Sequence, residues 1–83
     1  MQKAHDKGGQ RNVIGTKIRE ARRAHKPPVS QEDLAARLAV RGVYFDRSAI
    51  SRMEEGRRFV RDYEIAAIAD SLKVSIQWLF GRK

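Results

Sequence analysis

The chain of 83 residues reads as one small all-α domain. Three observations carry this. Apolar residues recur three and four positions apart in four separate stretches, the period of a helix with one buried face. Ser30, Asp46, Asp62 and Ser75 each stand just ahead of a helical stretch, where a side-chain oxygen can accept from the free N–H groups of a first turn. No apolar run reads as a strand longer than Val43-Tyr44-Phe45, and no heptads or internal repeats are visible. Five short helices with brief connections make a compact all-α domain. A domain of this size buries a modest core, yet folds without staples.

Residues 1–11 are polar, contain Gly8-Gly9 and show no period. They read as a disordered basic tail, leaving 12–83 as the folded domain. The first helix is expected over 12–26, with Ile14, Ile18 and Ala21 inward and Lys17, Arg19 and Arg23 elsewhere on the wheel. Pro27-Pro28 ends it, because the residue before a proline avoids the α region. Ser30 opens the second helix, SQEDLAARLAV, with Asp33 placed to complete a capping box. Leu34, Ala35 and Leu38 form its buried stripe, and Gly42 is its stop. Val43, Tyr44 and Phe45 then either cap the core or, for Tyr44, face solvent.

The third helix is DRSAISRMEEG, from Asp46 to Gly56. At 100° per residue from Arg47, Ala49, Ile50 and Met53 fall at about 200°, 300° and 240°. Arg47, Ser48, Ser51, Arg52 and Glu55 fall at about 0°, 100°, 40°, 140° and 80°. A narrow apolar stripe therefore faces the core, and a polar face with two arginines looks out. Glu54 lies on the border. Asp46 is the N-cap, Gly56 the stop, and Phe45 with Ile50 occupies the staple positions. The loop GRRFVR places Arg57, Arg58 and Arg61 around Phe59 and Val60. Asp62 is expected to cap a fourth helix with Ile65, Ile68, Ala69 and Leu72 inward. Ser75 caps a fifth, IQWLF, stopped at Gly81.

Composition excludes several functions. There is no cysteine, hence no disulfide and no thiol chemistry. His5 and His25 have no partner at ligand spacing, so no metal site is expected. No nucleophile–base pair and no phosphate-cradling glycine loop is present, so the chain is read as a non-enzyme without a cofactor. No small-molecule ligand is evident. No apolar run approaches the roughly 20 residues of a membrane span. The start, MQKAHDKGGQRN, has no apolar h-region, and a cytoplasmic protein is expected. The net charge is +8, unevenly placed: residues 1–26 carry +6 and 46–61 carry +2, while the remaining segments balance to zero. Such one-sidedness favours a polyanionic partner.

SQEDLAARL, then SAISRMEEG, then an apolar helix and a short SIQWLFG segment together resemble the Cro/CI-type helix-turn-helix domains. This is the lambda-repressor-like, or XRE, family of DNA-binding transcriptional regulators. The resemblance covers residues 12–81. It implies a five-helix fold in which 30–40 crosses the phosphate backbone and 46–55 enters the major groove. It implies that Gln31 touches a phosphate at a helix N-terminus, and that Arg47, Ser48, Ser51 and Arg52 reach bases and nearby phosphates. It also pairs Arg22 with Glu54 as a structural ion pair. The chain departs from the family in two respects. RGVYFD, 41–46, stands where the family has a turn about five residues shorter, which brings Arg41 or Tyr44 within range of the DNA backbone. Pro27-Pro28 lengthens an earlier connection that lies away from the recognition face.

Arg47 and Arg52 carry the chemistry for guanine, since each can donate two parallel hydrogen bonds to O6 and N7. The plainer alternative is a solvated helix arginine, with Arg52 paired to Glu55. Ser48 and Ser51 are small enough to allow close approach. Arg57 and Arg58, with Arg61, would contact phosphates and set orientation. Trp78, Leu79 and Phe80 are core, or a homodimer surface. The reading is a bacterial or phage regulator, a repressor in the first instance, binding double-stranded DNA as a homodimer. The rival is an antitoxin-like or anti-regulator module on the same fold whose target is a protein. An RNA-binding module, with Tyr44 as its exposed aromatic, ranks lower, and a membrane-surface helix lower still.

Overall fold

The computed structural model describes residues 10–82 and contains five helices and no strand among them. Residues 1–9 of the expected tail, with His5, lie outside the described residues. Arg11, the last residue of that tail, packs on the folded domain. The Arg11 amide donates to the Gly56 carbonyl at 2.6 Å, and the Arg11 guanidinium lies 5.3 Å from the centre of the Phe59 ring.

Helix α1 spans Gly15–Ala24, shorter than the period suggested. Asn12 sets its start. Its side-chain oxygen accepts from the Ile14 and Gly15 amides at 3.0 and 2.8 Å. The same side chain donates to the Met53 and Arg58 carbonyls at 3.1 and 2.8 Å. One asparagine therefore caps α1 and ties it to the chain around the end of the third helix. At the other end His25 is already extended, two residues ahead of Pro27.

Helix α2 spans Gln31–Val40, with the complete capping box between Ser30 and Asp33. Helix α3 spans Arg47–Glu54, capped by the Asp46 carboxylate on the Ala49 amide at 2.7 Å. Gly42 and Gly56 stop these two helices with φ of 80° and 79°, a region closed to most side chains. Helix α4 spans Asp62–Leu72. Its cap differs from expectation. Asp62 is the first helical residue, and the Glu64 carboxylate accepts from the Arg61 amide at 2.8 Å. A short α5, Ile76–Leu79, is capped by Ser75 on the Trp78 amide.

The core gathers Ile14, Ile18, Leu34, Leu38, Ile50, Met53, Ile68, Leu72 and Leu79, closed by Val29, Val43 and Phe45 from the connections. Phe45 and Ile50 are both buried, as the staple requires. Ile65 and Trp78 are only half-buried against this core. Lys17 covers the Trp78 ring at 4.5 Å, which explains how the indole is shielded without entering the interior. Helix α3 packs against both α1 and α2. The approach to α1 is close. A methyl group on Gly15 would stand 2.4 Å from the Met53 carbonyl oxygen and 2.7 Å from that of Glu54. Only a bare α-carbon fits there.

Candidate nucleic-acid interface

Helix α3 exposes Arg47, Ser48 and Arg52 to solvent, with Ser51 half-buried beside them. Ala49, Ile50 and Met53 are buried on the opposite side. This is the division expected from the wheel. The outer face is organised by its own contacts. The Arg52 guanidinium donates to the Ser48 hydroxyl at 2.7 Å, one turn back. That bond draws Arg52 toward the N-terminal end of α3. The alternative pairing of Arg52 with Glu55 is not formed. Glu55 instead accepts from Arg57 at 3.0 Å.

Beneath this face lies the Glu54 carboxylate, whose side chain has no exposed surface. Arg22 grips it with two hydrogen bonds, from Nε at 2.7 Å and Nη2 at 2.9 Å. Arg19 adds a third contact at 3.3 Å and Gln31 a fourth at 3.2 Å. Burial by itself pushes the Glu54 carboxyl up. The hydrogen bonds from Arg22 and Gln31, the Arg22 charge and the Arg19 bond together outweigh it and hold the group below the ordinary carboxylate value. The hydrogen bond to Glu54 in turn raises Arg22, against the opposing effect of burial. The expected Arg22–Glu54 pair is therefore present, within a larger cluster. Arg19 joins it from α1 and Gln31 from α2.

Gln31 has a second role. Its amide oxygen accepts a long hydrogen bond from Arg47 Nε at 3.4 Å. The first residue of α2 thus connects the buried carboxylate to the first residue of α3. Arg22, Arg23, Ser30, Gln31, Glu32 and Arg47 line a shallow cleft of about 340 Å³ where these two helix N-termini meet. Free N–H groups and positive helix ends make such a place favourable to an anion.

The loop behind α3 divides its arginines. Arg57 and Arg61 are exposed. Arg58 turns inward. It lies 4.2 Å from the centre of the buried Phe45 ring and donates to the Glu64 carboxylate at 3.3 Å. Glu64 itself is 4% exposed. Arg58 therefore joins Phe45 to α4. Arg41, from the long connection between α2 and α3, is likewise taken. It bonds the Asp70 carboxylate and the Arg37 carbonyl, so it faces α4. Among the described residues no group of three His, Cys, Asp or Glu side chains could hold a metal ion. No described helix is long and apolar enough to cross a membrane.

Comparison of the chain with protein-family models, curated proteins and solved structures finds no match.

Proposed function

We propose that this chain is a sequence-specific double-stranded DNA-binding protein of the helix-turn-helix kind, acting as a small transcriptional repressor. The supporting observation is the outer face of α3. It carries Arg47, Ser48, Ser51 and Arg52 on a helix whose opposite side is buried and whose end is fixed by the Glu54 cluster. In this reading α3 enters the major groove, and Arg47 and Arg52 address guanine edges. The α2 N-terminus at Gln31 sits over a phosphate, and Arg57 with Arg61 holds the backbone further along. The +8 net charge supplies attraction without sequence. A homodimer would place two α3 helices about 34–36 Å apart, one DNA turn.

The test is a binding selection from random duplex DNA at low and near-physiological salt. The reading expects an enriched inverted repeat with half-sites about one turn apart. Binding without enrichment, lost as salt rises, would reduce it to general attraction for phosphate.

One observation favours a protein partner as the second reading. Val13, Ile14, Val60, Ile65 and Phe80 line an apolar cleft of about 320 Å³ beside the start of α1. Phe80 and Val13 stand partly exposed at its edge. A second copy, or an antitoxin-like or anti-regulator contact, would use this face. Co-purification of a stoichiometric protein from the native host, abolished by Phe80→Glu, with no duplex selected by the purified chain, would put this reading first.

A further inference from the structure

The connection between α2 and α3, residues 41–46, is not slack. The Val43 amide donates to the Leu38 carbonyl at 3.0 Å, which ties its beginning to α2. Phe45 is buried beneath the Arg58 guanidinium, and Asp46 caps α3, which fixes its end. Val43 and Phe45 are 6% and 7% exposed, while Tyr44 between them is 81% exposed. Successive side chains of an extended segment point to opposite sides. Anchoring both neighbours in the core therefore aims the tyrosine outward.

Every other side chain of the segment has an intramolecular role. Arg41 is held by Asp70, Val43 and Phe45 fill the core, and Asp46 caps α3. Among the described residues Tyr44 has none of these, although exposing a large aromatic ring to water is unfavourable. It stands two residues ahead of the α3 N-cap, on the end of the helix that docking drives toward the bases. A tyrosine on a fixed segment has two side-chain torsions to order on binding, so contact costs little entropy.

We infer that Tyr44 is a DNA contact: its hydroxyl donates to a phosphate oxygen beside the α3 N-terminus, and its ring covers the adjoining deoxyribose. This rests on the DNA reading above. The longer connection then extends the footprint of α3 by one backbone position. The contact is electrically neutral, which separates it from the arginine contacts. Neutralising a phosphate with a cation releases counterions and steepens the dependence on salt, whereas a phenol does not.

The experiment uses the full chain and the duplex recovered by selection. Binding of wild type, Tyr44→Phe, Tyr44→Ala and Arg57→Ala is titrated over a range of salt. Tyr44→Ala is expected to bind about tenfold more weakly at every salt concentration, with an unchanged salt slope. Tyr44→Phe keeps the ring and falls between wild type and Tyr44→Ala. Arg57→Ala lowers the slope by about 1. Because Tyr44 is exposed, the thermal midpoints of both tyrosine variants should match wild type, which excludes a folding explanation. An enriched duplex bound equally by wild type and Tyr44→Ala overturns this inference alone. Failure to enrich any duplex overturns the DNA reading and this inference with it. A preference for a single strand over the duplex does the same, and would turn the exposed ring toward base stacking.

Discussion

Arg22 and Glu54 meet through two hydrogen bonds of 2.7 and 2.9 Å, joining α1 to the last residue of α3 with almost no exposure to water. A buried ion pair adds little relative to well-packed apolar residues, because both charges have lost their hydration. Breaking one partner is another matter, since the survivor remains buried and unpaired. Arg22→Ala would leave Glu54 with only Arg19 and Gln31. The expected cost is about 3 kcal/mol, a large share of the stability of a domain this small. Urea unfolding at neutral pH measures it. A loss under about 1 kcal/mol would show that Arg19 replaces Arg22 without difficulty.

The same cluster sets an acid limit. Glu54 is held below its ordinary value near 4.5, so the unfolded chain takes up this proton first as pH falls. Its contribution to stability is fully present above the unfolded-state value. It is lost as pH falls through the lower folded-state value. Unfolding midpoints measured from pH 7 downward should therefore drop below about pH 4.5 more steeply in wild type than in Glu54→Gln. Other carboxylates, Asp70 among them, contribute to both curves alike. Parallel curves would remove Glu54 from the account.

Gly15 gives a steric prediction. A β-carbon there would press on the backbone carbonyls of Met53 and Glu54 at 2.4 and 2.7 Å. Neither is the end of a flexible side chain, so α1 or α3 must move. Alanine is the better helix former, but that gain is about 1 kcal/mol. Overpacking costs about 1–3 kcal/mol, and this contact is severe enough to place it at the upper end. Gly15→Ala should lower the melting temperature by roughly 10 °C. On the DNA reading it should also weaken binding to the selected duplex, because the displaced element carries the outer face. An unchanged melting temperature would mean that α1 can slide away from α3 at little cost.

The helices were legible because their signals are local. Ser30 with Asp33, Asp46 with its staple, and Ser75 each act within one turn of themselves, so reading them needs no knowledge of the fold. The outward face of α3 was legible for the same reason. Long-range roles were not. Asn12, expected as the first residue of the helix, instead caps α1 from three residues ahead of it, and the other half of its bonding goes to Met53 and Arg58, more than forty positions away. The Glu64 carboxylate is buried between the Arg61 amide and Arg58, held by the loop that precedes α4. Arg58 reads as one of three equivalent loop arginines, but Phe45 and Glu64 claim it. Arg58, once turned inward, leaves Arg57 and Arg61 as the loop's solvent-facing charges.

On the DNA reading, that division would separate specificity from affinity along the outer face. Arg52 is aimed by Ser48, at 2.7 Å, toward the end of α3 that faces the bases in the DNA reading. Arg57 lies beyond the helix and shares its charge with Glu55. Arg52→Ala should cost about 1–3 kcal/mol on the selected duplex and much less on random DNA. Arg57→Ala should weaken both about equally. Ser48→Ala keeps the Arg52 charge and removes only its tether. It should reduce the ratio of specific to random binding while leaving the salt slope unchanged. Titration of the three variants on both DNAs decides the matter. Equal losses for Arg52→Ala on the two DNAs would make Arg52 a phosphate contact, and base reading would pass to Arg47.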